Sequence, residues 1–181
     1  MNRRIKFSIA AASMLVFAYA SAEDVAIKAT YDAALETADA DYDVAKAKCD
    51  QLSGNPNDIC VAAAKRERDT AKARAEAAYR PNVENVVDEM VTDADGEYKV
   101  AKQRCDARTG NEKDVCLKEA EAAHVRAVSG AKADGKAAEA QIDAAEDTRE
   151  ASYDVAKERC DTFSGDRKDA CVAEARARYG K

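Results

Sequence analysis

The chain has 181 residues, a formal charge of −6 and 35% charged residues, with six cysteines, no tryptophan and two prolines. That acidity argues against nucleic-acid binding and against adhesion to anionic membranes. Only 20 residues after position 22 are Leu, Ile, Val or Phe, a level at which disorder competes with folding. The remaining apolar content is mostly alanine, the best helix former, so the chain reads as long helix rather than coil.

The first 22 residues read as a secretory leader. "MNRRIK" is a basic segment, "FSIAAASMLVFAYA" an apolar one, and Ala20-Ser21-Ala22 a small-residue cleavage site that places the mature start near Ala22/Glu23. Arg3, Arg4 and Lys6 leave with it, which takes the charge from −6 to −9. The apolar segment is short for a membrane span, and no second run of spanning length follows. The expectation is an exported chain without stable membrane insertion.

Three segments then repeat one pattern. "YDVAKAKCDQLSGNPNDIC" starts at Tyr42, "YKVAKQRCDARTGNEKDVC" at Tyr98 and "YDVAKERCDTFSGDRKDAC" at Tyr153. Internal repetition of this kind is read before the fold. Ahead of the first cysteine, Tyr31, Leu35, Ala38, Tyr42, Ala45, Cys49 and Leu52 step alternately by four and three, a heptad seam on a helix. Val87, Val91, Ala94, Tyr98, Ala101 and Cys105 follow the same track. In the third copy Ile142 and Tyr153 match, while Glu146 and Arg149 interrupt. After Cys60, the residues Val61, Ala64, Ala71, Ala75 and Ala78 form an alanine-rich stripe that lets helices approach closely.

Between paired cysteines the sequence stops one helix and starts another. Gly54, Gly110 and Gly165 suit a left-handed helix end. Asn55, Asn111 and Asp166 then suit the N-cap, and Pro56 the first helical position. Asp58, Asp114 and Asp169 suit the positive helix N-terminus. Pro81 and Asn82 break the chain before the second copy, and Gly130 and Gly135 are expected to break it before the third.

The expected fold class is therefore all-α. Six helices form three antiparallel helical hairpins, arranged as an up-down bundle or an extended coiled-coil-like rod, each tip closed by a C-x10-C disulfide. The expected divisions are a leader over 1–22 and hairpins over 23–80, 81–136 and 137–181. An even number of cysteines in an exported chain reads as disulfides. The repeat selects Cys49–Cys60, Cys105–Cys116 and Cys160–Cys171, each worth on the order of 3 kcal/mol in the chain-entropy model.

The rival reading is thiol-based: a metal-binding or redox-responsive stress protein. The long cysteine spacing departs from structural zinc patterns, His124 is the only histidine, and there is no C-x-x-C. No metal or cofactor site is expected. His124 aligns with Arg68 and Tyr179 and reads as a partly exposed seam position. Tyr42, Tyr98 and Tyr153 read as aromatics packed on a neighbouring helix with a wet hydroxyl. Lys46/Asp50, Lys102/Asp106 and Lys157/Asp161 are spaced for surface ion pairs along one helix. Asp39, Asp41 and Asp43, or Asp93 and Asp95, lack the ligand order of a calcium loop. No nucleophile elbow, catalytic triad, phosphate loop or HExxH motif occurs, and no catalytic residue is expected.

"YDVAKERCDTFSGDRKDACVAEARARYGK" resembles the C-terminal unit of small, alanine- and lysine-rich exported proteins of Gram-negative bacteria. These are often labelled cell-envelope biogenesis proteins similar to TolA, the helical stalk protein of the Tol–Pal system. The resemblance implies a periplasmic location and an envelope role, and it brings no active-site residues. The functional expectation is a non-enzymatic structural or protein-interaction protein, with partners in the envelope or self-association.

Overall fold

The computed structural model describes the backbone from Leu15 to Lys181 and side chains from Asp24 onward. The leader expected over 1–22 lies outside the described residues apart from the backbone of Leu15–Ala22. The described chain is helical throughout, with no strand: α1 (Leu15–Cys49), α2 (Asn55–Tyr79), α3 (Val83–Cys105), α4 (Gly110–Cys160) and α5 (Asp166–Tyr179). Three disulfides join helix ends. Among the described residues, no helix is long and apolar enough to cross a membrane. The chain divides into two compact units, the first ending at Ala131 and the second covering Lys132–Lys181.

In the first unit, α2 packs on both α1 and α3. Among the described residues, α1 and α3 make no comparable contact with each other. Contacts between α1 and α2 climb one helix as they descend the other. Cys49 joins Cys60, Tyr42 lies under Arg68, Asp39 meets Lys72, and Tyr31 stacks on Tyr79. The heptad seam accounts for this. Ala38 and Cys49 are buried on α1, Ala64 and Ala77 on α2, and small side chains there let the helices approach. Leu52 departs from the expected seam. α1 ends at Cys49, so Leu52 falls in the turn and is exposed.

The α2–α3 contact depends on Gly96. A Cβ at that position would lie 2.8 Å from the Arg66 Cβ and 3.2 Å from its Cα. Only a residue without a side chain allows that approach. Val100, one turn on, is 2% exposed. The break between α2 and α3 falls at Pro81 and Asn82, as their chemistry requires. Asn82 Oδ1 accepts the Asn85 N–H at 2.7 Å, a side-chain N-cap.

The second unit pairs α5 with the C-terminal part of α4. Cys160 joins Cys171, Tyr153 meets Tyr179 edge-on, and Lys181 reaches Glu150 at 3.3 Å. Cys160 and Ala175 are buried there. Ile142, expected on the seam, is 56% exposed.

Two local expectations are corrected. Gly54 and Gly165 have positive φ, but with ψ of −149° and −145° they are the N-caps of α2 and α5, not left-handed ends of the preceding helices. That backbone region is open essentially to glycine alone. The Gly54 carbonyl accepts the N–H groups of Asn57 and Asp58, so Asn55 and Asp166 enter as helical residues rather than caps. The left-handed C-cap is Gly180, at φ 66° and ψ 40°. Second, α4 is one helix of 51 residues that runs through Gly130 and Gly135, so the described residues form five helices where six were expected. Glycine inside a helix costs only about 1 kcal/mol and presents no steric stop. Pro81 removes a donor and clashes, and it ends α2.

Candidate functional site

The features that recur along the chain are the disulfides and the side chains two turns below them. The Cα–Cα distances are 5.5, 5.6 and 5.7 Å for Cys49–Cys60, Cys105–Cys116 and Cys160–Cys171, well inside the range a disulfide needs. The first cysteine of each pair is buried and the second is half-buried. No described cysteine is free. An oxidising compartment suits three such bonds.

Seven residues before each first cysteine stands a tyrosine, and eight after each second cysteine stands its partner. Arg68 lies over the Tyr42 ring at 4.6 Å. His124 stacks on Tyr98 at 4.8 Å. Tyr179 meets Tyr153 at 6.5 Å. Arginine, histidine and tyrosine share one property needed here: each can lie against a π face. The sequence placed these residues at matching positions. The structure adds that they face the tyrosines.

Three of the aspartates singled out in the sequence, Asp39, Asp93 and Asp95, have definite partners. His124 Nε2 bonds Asp95 Oδ1 at 2.5 Å. Asp93 takes a two-pronged bond from Arg66 at 3.0 and 3.1 Å and a third bond from the Thr70 hydroxyl at 3.1 Å. Arg66 also pairs with Glu97 at 3.0 Å. The Arg66 guanidinium, helped by Thr70, holds the Asp93 carboxyl below its ordinary range, although burial opposes the shift. Asp39 is engaged by Lys72 at 2.6 Å. Among the described residues, no group of three or more His, Cys, Asp or Glu is placed to hold a metal.

Of the three expected surface pairs, the first forms along its own helix, and the other two aspartates take a lysine across the turn. Lys46 pairs with Asp50 at 3.0 Å within α1. Asp106 instead takes Lys113 at 2.9 Å, and Asp161 takes Lys168 at 2.8 Å, both across the turn. In the first copy the matching position is Asn57, which carries no charge and donates to the Cys49 carbonyl at 2.7 Å. Asp50 therefore has no base across its turn and pairs along its own helix.

Sequence reasoning missed the Arg66–Asp93–Glu97 cluster. One signal was available. Gly96 occupies the position where the other copies have Ala40 and Ala151, and an isolated glycine in a helix marks a close approach. No protein-family model, curated protein or solved structure matches the chain.

Proposed function

We propose that this chain is a non-enzymatic structural or protein-interaction protein of the cell envelope, exported to the periplasm after loss of residues 1–22. Its three helical hairpins, each closed by a disulfide, act as rigid fingers that present charged and alanine-rich faces. One observation carries the reading: every disulfide is preceded, two turns earlier on its first helix, by a tyrosine whose ring meets a side chain of the opposite helix. A chain poor in large apolar residues gains from such staples, each on the order of 3 kcal/mol. The order of contacts along α1 and α2, and the matching cysteine–tyrosine register in the other two pairs, support the antiparallel arrangement. The likeness of the C-terminal segment to TolA-like envelope proteins points to the same compartment.

The test is fractionation of producing cells followed by cross-linking in the intact envelope. Protein in the periplasmic fraction, starting at Glu23 and joined to defined envelope proteins or to itself, supports the reading. A cytoplasmic protein with its leader intact, or empty cross-linking lanes, contradicts it.

A further inference from the structure

The three staples hold helices that differ in how much else secures them. α2 packs on both α1 and α3, Tyr31 stacks on Tyr79 at 4.6 Å, and Arg66 forks onto Asp93. α3 and the start of α4 are held in addition by the His124 bond to Asp95 and by its stack on Tyr98. α5 has 14 residues, of which Ala175 alone is buried. Within the second unit its neighbour is the C-terminal part of α4. Its tyrosine contact is edge-on at 6.5 Å. Its ion pairs, Lys168–Asp161 and Lys181–Glu150, lie at the surface, where such pairs contribute little. A helix of this length is marginal in water on its own.

The third bond is also within reach of a reagent. Cys160 and Cys171 line an open groove between α4 and α5. Arg159 and Arg178 stand on its walls against one carboxylate, Glu174, a balance that draws in an anionic thiolate. Cys160 is 1% exposed and Cys171 half-buried, so Cys171 presents the sulfur open to attack. Cys160 Sγ lies 3.3 Å from the Ala156 carbonyl oxygen, an acceptor in place for the thiol that forms when the bond breaks.

We propose that the Cys160–Cys171 bond is a site of thiol–disulfide exchange with a dithiol, and that its reduction releases α5 from α4. One thiolate of the dithiol attacks Cys171 Sγ and forms a mixed disulfide. The electron pair of the broken bond goes to Cys160 Sγ, which takes up a proton. The second thiolate of the dithiol then closes on the first, and Cys171 leaves and is protonated in turn. The chain gains two electrons and two protons, and the dithiol ends as a disulfide. Where packing holds two helices together, the freed thiols stay side by side and reclose. Where α5 departs they separate, and the reduced form persists. In the oxidising compartment that suits three such bonds, the closed form is the resting one. This inference rests on the reading of stapled fingers and adds that the third finger opens on reduction.

Titration of the purified mature protein with dithiothreitol tests it, with free thiols trapped by iodoacetamide and located by peptide mass spectrometry. Cys160 and Cys171 should become alkylated at a dithiothreitol concentration about tenfold lower, or less, than the other four cysteines require. Hydrogen exchange in 166–179 should then reach the unprotected rate while 55–79 stays protected. Replacing both cysteines, Cys160→Ser with Cys171→Ser, should expose 166–179 to exchange without any reductant. Cys49→Ser with Cys60→Ser should leave 55–79 protected. Reduction of all three bonds at one dithiol concentration, protection of 166–179 after its bond is lost, or loss of protection in 55–79 when Cys49 and Cys60 are replaced would each overturn the proposal. None of these results contradicts the envelope reading, which fractionation and cross-linking test separately.

Discussion

The His124 ring lies flat on Tyr98, with centroids 4.8 Å apart and planes 17° from parallel. His124 is held there by Asp95, and Tyr98 carries Lys102 over its ring at 4.5 Å. Because Arg68 and Tyr179 do the same work in the other pairs, the position demands a flat or cationic partner for tyrosine. His124→Arg should keep that partner, so its melting temperature should match wild type within a few degrees. His124→Ala should lose about 0.5–1.5 kcal/mol of stacking, read as a lower thermal midpoint by circular dichroism. Equal loss from both variants would show that the stack contributes nothing.

Gly96 and Gly130 make opposite predictions. Gly96→Ala gains helix propensity but drives a Cβ into the Arg66 stem and backbone. We expect a net loss of roughly 1–2 kcal/mol, since overpacking outweighs propensity. At Gly130 an added Cβ meets nothing within 4 Å, so Gly130→Ala should stabilise by up to about 1 kcal/mol. Urea unfolding of the two variants measures both signs at once.

Much of this architecture was legible in the sequence because it is local. Helix breaks at Pro81–Asn82, turns at Gly54 and Gly165, and the tyrosine–cysteine seam all follow from backbone chemistry within a few residues. The continuous α4 was not legible. Whether a helix crosses Gly130 and Gly135 depends on a balance of about 1 kcal/mol per glycine against its alanine-rich flanks. The Arg66–Asp93 pair was not legible either. It joins residues 27 apart, and its register follows from how closely α2 and α3 approach at Gly96. The glycine alone hinted at it.

The Asp93 carboxyl gives a pH prediction. Arg66 lowers its proton affinity in the folded state, so its contribution is complete above the ordinary carboxylate value of about 4 and fades as pH falls through the lower folded value. Acidification below about pH 4 should therefore cost wild type more stability than Asp93→Asn, which has no proton to take up there. The Asp93 side chain is 41% exposed, which holds the difference to about 1 kcal/mol or less. Thermal midpoints of both proteins, measured down to about pH 2.5, decide the matter. Parallel curves would remove Asp93 from the account.

Val100 and Val155 separate burial from sequence identity. Val100→Ala should cost about 1.5 kcal/mol, because two buried methyl groups leave the α2–α3 contact. Val155 is 53% exposed, and Val155→Ala should change stability by less than about 0.5 kcal/mol. Guanidinium titrations that gave both variants the same cost would contradict the burial described for Val100.

The central claim is that each disulfide closes one local pair of helices. Peptide mapping of the native protein under non-reducing conditions, with mass spectrometry of the linked fragments, tests it most directly. The account predicts three linked peptides, Cys49–Cys60, Cys105–Cys116 and Cys160–Cys171, and no free thiol. A bond joining cysteines of different segments, or thiols left free in protein taken from its own compartment, would contradict it.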